Sequence, residues 1–359
     1  MTSTVTQPFD PATLDFDPLA EPVSADDLRS SRQRGAPPAP TAERVNFVFI
    51  FVASLAAIAV LTAFSLYALV KLLTASDRPE DQGWIVGLIV LGGLTHYTLA
   101  NFIRWYRGVR NSPRRTVRLG RFAARNALVH VPRTADPVFA GNVFQRGRTR
   151  ISTNRLRTAD EPIVELGNHR YTDFTEVTKR ERSWTYIAIQ MDRHLPNIVV
   201  HARANRRRGG IPGEYTKQQV VSLEGDFNRY FTLRAPRSYE TDALYIFTPD
   251  VMALLIDNVA AFDIEIVDDW VFICTPAFLP LDSPATLTRL GAIVTAIRPK
   301  VQKQTARYRD DRVGSFAANR VAPAGARLQQ AVIITGSFGF AGIGLVVGLL
   351  RLVPQLIGG

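Results

Sequence analysis

Three long apolar blocks punctuate this chain, and between them the pattern of hydrophobic positions changes period. Val45 to Val70, Trp84 to Ile103 and Ala331 to Leu350 carry no charged residue. At about 1.5 Å per residue each is long enough for a hydrocarbon core of about 30 Å, so three transmembrane helices are predicted at 45–70, 84–103 and 331–350. The first two form a helical hairpin within 43–103. From 126 to 312 the pattern is that of an α+β domain built on antiparallel sheet. Pro162 to Leu166, Arg170 to Val177, Trp184 to Met191 and Asn197 to Ala202 are rich in β-branched and aromatic residues and read as strands, separated by Gly-Asn, Lys-Arg-Glu and Pro-Asn breaks. A second strand set begins near Gln219.

Two helix starts stand out in this region. Thr248-Pro249-Asp250 supplies a cap, a proline for the first turn and an early acid before Val251, Leu254, Leu255 and Val259; Ser283-Pro284 precedes Leu287, Leu290, Ile293 and Ile297. Pro299 is expected to kink or end the latter helix, since its ring clashes with the preceding turn. Phe262 to Val267 and Trp270 to Thr275 flank Asp268-Asp269 as a predicted hairpin, with Ile264 and Ile266 inward and Asp263 and Glu265 toward water. Residues 313–330 read as a linker, 351–359 as a short tail, and 1–42 as disordered, being rich in proline and poor in apolar residues. That first segment is split, with Asp10, Asp15, Asp17, Glu21, Asp26 and Asp27 preceding Arg29, Arg32 and Arg34; it suits a solvated tail or a partner-binding one. The first apolar block begins too late and runs too long for a signal peptide.

Charge then assigns sides. Basic residues are dense before the first span and after the second, at Arg104, Arg107, Arg110, Arg114, Arg115, Arg118, Arg121 and Arg125, whereas Asp77, Glu80 and Asp81 outnumber Arg78 between them. This predicts a multi-pass protein of the inner (cytoplasmic) membrane, with the N-terminus and central domain cytosolic and the C-terminus outside. Part of the net charge of +11 is explained by this topology, so nucleic acid is not expected as a partner. Cys274 is the only cysteine, which excludes an intrachain disulfide and a multi-cysteine metal site.

Ser112-Pro113 looks like a further helix start, opening a basic juxtamembrane helix over 104–125. Arg114, Arg118, Arg121 and Arg125 share one stripe of it, away from Leu119, Phe122 and Ala123. The stripe suits anionic lipid headgroups, or salt bridging along a connecting helix. Arg206, Arg207 and Arg208 form a basic loop that suits phosphate of lipid or nucleic acid, though no aromatic platform motif accompanies it. His96 is the one ionisable residue within a span; Ser54, Thr335 and Ser337 lie at the same depth in the others and are its predicted polar contacts. Gly344 and Gly348 have the spacing of close helix packing, within the molecule or between copies. The remaining histidines show no ligand spacing, and no nucleotide or nucleophile motif appears, so no catalytic residue, metal or cofactor is assigned.

Leu223 to Phe231 and Ala243 to Leu255 carry a resemblance. With Phe227 and Phe231, Thr248-Pro249, and Phe262 to Phe272 in corresponding places, the text from 220 to 280 resembles bacterial membrane proteins carrying the domain of unknown function 3137. The resemblance implies paired N-terminal spans before a cytosolic α+β domain, and no known activity; the third apolar block departs from it. The expectation is a non-enzymatic, membrane-tethered interaction or scaffold module with an unknown protein partner. An anionic-lipid-binding or lipid-handling protein is the alternative.

Overall fold

The computed structural model describes residues 8–33, 41–74, 82–174, 179–213, 215–314 and 319–328. Two short helices, α1 (Asp17–Ala20) and α2 (Ala25–Gln33), precede the long α3 (Thr41–Thr74) and α4 (Gln82–Arg125). Then come β1 (Leu128–Ala135), α5 (Asn142–Gln145), β2 (Arg148–Thr158), β3 (Val164–Phe174) and β4 (Lys179–Ala202). The chain continues through β5 (Val220–Val221), α6 (Phe227–Tyr230), β6 (Phe231–Arg234), α7 (Glu240–Ile246), α8 (Pro249–Val259) and β7 (Asp263–Thr275). Last are α9 (Pro284–Thr305) and α10 (Pro323–Ala326). The result is an antiparallel, sheet-rich α+β domain.

The sheet is ordered β1-β2-β3-β4-β6-β5, with β7 on the other side of β4. Strand β4 organises it. Its first half pairs with β3 through Val164↔Ile189 to Phe174↔Lys179, its second half with β6, and both halves with β7. Between Gln190 and Leu195 the β4–β7 register slips, and Asp268 opposite takes a φ of 54°. Arg182 near the start of β4 donates to the carbonyl of Arg208 beyond its end. Twenty extended residues would span about 65 Å, so β4 must bend sharply at this bulge.

Asp268-Asp269 is therefore not a hairpin tip. A residue with positive φ and a bulged partner bend a continuous ribbon, which the aspartates permit as well as they permit a turn. Two other predicted breaks are likewise inside strands. Gly167 continues β3 because the Tyr186 side chain lies across it and would collide with any Cβ there; Pro196-Asn197 lies within the irregular part of β4.

Both faces of the sheet are covered. On one, α4, α8 and α9 bury Leu119, Phe122, Val251, Leu255, Leu290 and Ile297 against Ile187, Ile189 and Val200. On the other, the segment 139–144 and the loop at 211 cover Trp184, Tyr186, Val199 and Phe272. Asp263 and Glu265, predicted to face water, are 0% and 1% exposed beneath that second cover. The predicted starts of α8 and α9 hold in position, with proline in the first turn of each, but neither Thr248 nor Ser283 makes a side-chain cap hydrogen bond. Pro299 does not end α9, which continues to Thr305 because Val301 and Thr305 are buried beyond it. Part of the predicted linker is packed: Leu328 is buried and its N–H donates to Asn197 Oδ1 at 2.9 Å, while Ala322 N–H donates to Asp310.

Helix α4 has no start at Ser112-Pro113; Pro113 sits inside one 44-residue helix. A proline forfeits a hydrogen bond, but segments anchored on both sides hold the axis through it. Upstream, α3 and α4 pair along a seam. The less exposed positions of α3 are Phe51, Ser54, Ile58, Leu61, Ser65 and Ala68, those of α4 include Leu91, Thr95, Thr98 and Phe102, and the Phe51 and Phe102 rings lie 5.6 Å apart. Such alternating three- and four-residue spacing is that of a knobs-into-holes pair. Among the described residues one helical segment, Phe51–Lys71, is long and apolar enough to cross a membrane, and Ile89–Ile103 is a shorter apolar stretch. Three spans are thus not found among these residues; the predicted third, 331–350, lies outside them.

The expectation of disorder over 1–42 does not extend to residues 8–33, which form a strap across α4 and α9. Phe9 and Leu19 are 2% and 3% exposed, and the Phe16 ring stacks on Phe122 at 5.8 Å. Burying a side chain of that size contributes on the order of 1.5–3 kcal/mol, so few apolar anchors suffice. Gly291 of α9 leaves room for the Phe9 carbonyl, with which a Cβ would collide. Gly291→Ala gives a test with a sign. In a chain lacking residues 1–33 it should stabilise by about 0.5–1 kcal/mol, as glycine-to-alanine in a helix does. In the full chain it should instead release the strap, seen as faster hydrogen exchange over 9–27. Equal stabilisation in both chains would refute the contact.

Candidate functional site

The predicted arginine stripe of α4 meets the protein's own acidic segment. Arg121 pairs with Asp27 at 2.7 Å and Glu21 at 3.2 Å and donates to the Pro22 carbonyl; Arg125 pairs with Asp15 at 2.8 Å. Asn126 closes the join, accepting from Asp15 N–H at 2.8 Å and donating to its carbonyl at 2.9 Å. Hydrogen bonds from Ser24, with Arg121 beside them, hold the Asp27 carboxyl at about 2, and Arg125 lowers that of Asp15. Of the other two members, Arg114 is exposed and Arg118 is half-buried, its Nε enclosed without a hydrogen-bond partner among the described residues. The neighbouring Arg115 pairs with Asp282 at 3.2 Å. Half of the stripe is thus taken up in holding the strap.

Arg206, Arg207 and Arg208 are exposed on the loop after β4, as read from the sequence. Within the helical pair, His96 and Ser54 do not meet. Ser54 lies in the seam, whereas His96 follows the seam residue Thr95 and is turned about 100° away, onto the exposed side. Equal depth along two helices is not equal azimuth. Thr335, Ser337, Gly344 and Gly348 lie outside the described residues.

Buried carboxylates on the second face of the sheet carry no obvious sequence signal. Glu165 accepts from Arg155 Nε and Nη2 at 2.7 and 2.8 Å and from the Tyr186 hydroxyl at 2.6 Å. Burial pushes the Tyr186 hydroxyl well above its ordinary range, which keeps it a donor. Asp263 accepts from the N–H groups of Ala202 and Ile211 at 2.7 and 2.8 Å and from Asn205 Nδ2 at 3.1 Å. Glu265 accepts from Asn142 N–H at 2.7 Å, and burial raises its carboxyl to about 7 against that hydrogen bond. Asp263 and Glu265 stitch the cover of the second face to the sheet, and Glu165 ties β2, β3 and β4 to one another. Their lone pairs are turned to protein donors, which is what buried acids require and leaves them poorly placed for chemistry on a substrate.

Cavities add little catalytic promise. One enclosed space of about 20 Å³ is lined only by apolar residues such as Phe247, Leu255, Ile264 and Ile297. An open cleft of about 320 Å³ at the bend of β4 has Glu161, Gln190, Asp192, His194 and Asp269 on its walls. Among the described residues no cluster of histidine, cysteine, aspartate and glutamate has the geometry to hold a metal ion. Cys274 is buried in β7, and burial raises its thiol.

No protein family and no curated protein sequence matches the chain. Among solved structures, the mycobacterial trehalose monomycolate transport factor A, TtfA, is similar over 54% of this chain and 96% of its own, with 12% identity and a TM-score of 0.37. Likeness at that level carries no argument about function.

Titration of the buried groups gives opposing signs. The folded-state value of Glu265 is raised, so its contribution to stability is complete below about 4.5 and is lost as pH rises through about 7. Burial instead lowers His130, His169 and His201 to about 4, so their contribution is present above about 6.5 and lost on acidification through about 4. Glu265→Gln isolates the first effect, since the histidines are common to both proteins. Denaturation midpoints of the detergent-solubilised chain should diverge in favour of the variant as pH rises from about 4.5 to about 7. Parallel profiles would show that Glu265 is not the group responsible.

Proposed function

We propose that this chain is a membrane-tethered interaction module whose α+β domain is held close to the cytosolic face of the bilayer. The observation that carries the reading is α4. One helix runs from the apolar stretch Ile89–Ile103 to Arg125, burying Leu119 and Phe122 completely in the domain core. A flexible linker would let the domain tumble, whereas a helix with both ends engaged holds it at a set distance and orientation.

Support for the bilayer comes from side chains that water would not tolerate. Val52, Val60, Phe64, Leu66 and Leu73 of α3 are each more than half exposed, along a helix whose mean hydropathy reaches 2.1 over Phe51–Lys71. A contiguous apolar surface of that kind belongs against lipid or a partner. The basic flanks of the hairpin favour the cytosolic side. A binding rather than catalytic role fits the satisfied buried acids and the apolar enclosed cavity. Direct lipid binding by the whole arginine stripe is the less favoured reading, because Arg121 and Arg125 face the strap.

The test uses intact and permeabilised cells producing the full chain with Asp160→Cys, a position on the exposed β2–β3 turn. Buried Cys274 should not react. The protein should resist alkaline carbonate extraction, and residue 160 should be labelled by a membrane-impermeant maleimide only after permeabilisation. Labelling in intact cells would place the domain on the other side, and release by carbonate would end the membrane reading.

A further inference from the structure

Two contacts set the level of the sheet along α4. A Cβ placed on Gly120 would stand 3.6 Å from His130 Nδ1, and His130 is in register with Leu156, Leu166 and Ile187 across β1 to β4. Earlier on the helix, Arg115 pairs with Asp282, in the loop whose Leu279 N–H donates to Thr185 Oγ1 at 2.8 Å. From Gly120 back to Arg115 is about 7 Å of helix, and from Ile187 back to Thr185 about 7 Å of strand. The helix, which packs along β1 and β2, and the first half of β4 therefore run in the same direction. Continuing toward their starts, Lys179 lies about 26 Å before Ile187, and Ile103 lies about 26 Å before Gly120. The hairpin end of β3 and β4 is thus level with the end of the apolar stretch Ile89–Ile103.

That end of the domain is basic. Arg146, Arg148, Arg170 and Arg180 are exposed there and Arg182 is half-exposed, against Asp173 and Glu181 among the described residues. Glu181 is shared with Arg170 in one exposed pair at 3.2 Å. The bend in β4 adds the loop of Arg206, Arg207 and Arg208, tied in place by Arg182 donating to the Arg208 carbonyl at 3.3 Å. The opposite end carries Asp160, Glu161, Asp192 and Asp269, the last three on the walls of the open cleft. Arg193 stands beside Asp192 there, its Nε donating to the Ala306 carbonyl at 3.2 Å, so the far end mixes signs whereas the β3–β4 end is mostly basic.

We propose that the β3–β4 end of the domain, with the 206–208 loop, rests on anionic lipid headgroups. This deepens the membrane-tether reading and depends on it. Basic residues near a leaflet that carries anionic lipid are attracted within about one screening length, which is 8–10 Å at ordinary salt. Position supplies the remainder, because α4 brings these arginines to the height of the headgroups whether or not they attract them. Nucleic acid is the weaker occupant: among the described side chains of this end the aromatics Tyr171 and Trp184 are 3% and 2% exposed and offer no stacking surface.

The full chain, reconstituted in nanodiscs of phosphatidylcholine alone or with about 30% phosphatidylglycerol, provides the test. A fluorophore is placed at Ser183→Cys near the basic end or at Asp160→Cys at the far end, and the lipids carry a headgroup quencher. Quenching at 183 should exceed that at 160 by at least about twofold. It should rise when phosphatidylglycerol is present and fall again in about 1 M salt, where the screening length is about 3 Å. The triple change Arg146→Glu, Arg170→Glu, Arg180→Glu should abolish the dependence on phosphatidylglycerol without altering quenching at 160. Should that variant fold poorly, the lipid and salt comparisons on the otherwise unchanged protein still decide. Equal quenching at the two positions, or indifference to lipid charge and salt, overturns the proposal while leaving the tether intact. Release of the chain by alkaline carbonate overturns both. Retention of a fluorescent oligonucleotide by the basic end, with no response to phosphatidylglycerol, would reassign the surface and overturn the proposal.

Discussion

The continuity of the α4 axis through Pro113, where one backbone hydrogen bond is forfeited, is the constraint on which the rest depends. Were the helix to end there, the apolar hairpin and the domain would be separate bodies joined by a hinge. Because it does not, the azimuth of Leu119 and Phe122 in the core is coupled to that of Leu91, Thr95 and Phe102 in the seam with α3. A residue on α4 cannot turn toward one neighbour without turning the whole rod. The same coupling makes residue levels along α4 meaningful, so strand register converts into height above the apolar stretch.

The sheet adds a second constraint. A strand as long as β4 would be straight and exposed on one side unless it bent, and the Gln190–Leu195 slip with Asp268 opposite lets it do so. Bending brings the 206–210 loop over the second face and makes that face an interior. Once it is an interior, Asp263 and Glu265 must have donors, and the N–H groups of Ile211 and Asn142 supply them from the covering segments. The buried acids are a consequence of the bend and the cover together. Glu265 accommodates least easily, which is why its carboxyl is the one raised to about 7.

What could be read from the residues was local. The proline starts of α8 and α9 and the β-rich text follow from neighbours within a turn or a pleat. The features that were not legible depend on distant chain. Asp263 alternates with Ile264 as a solvent-facing residue should, and only the loop near Ile211 makes it internal. His96 and Ser54 match in depth, but depth is a one-dimensional count, whereas contact also needs the seam's rotation. The strap looked unable to fold because its apolar residues are sparse. Phe9, Phe16 and Leu19 are few, yet each lands on a site prepared elsewhere, the first on a helix position that has no side chain at all.

The distribution of positive charge follows from these contacts rather than from composition. A net charge of +11 spread evenly would say little. Here Arg115, Arg121 and Arg125 are paired with Asp282, Asp27, Glu21 and Asp15, and Arg155 is held by Glu165, so their charge is largely spent within the molecule. Half of the stripe that looked most like a membrane contact in the sequence, Arg121 and Arg125, is answered by internal acids. The arginines of β2, β3 and the start of β4 drew no attention, because alternation along a strand scatters them through the text. Register gathers them: Arg148 stands beside Thr172, Tyr171 beside Arg182, and Arg170 beside Ser183, all within one short stretch of sheet. Among the described residues basic charge therefore exceeds acidic at one end of the domain, with Arg170 already paired to Glu181, and α4 sets that end level with the apolar stretch. Electrostatics and geometry, set by different residues, agree on the same surface.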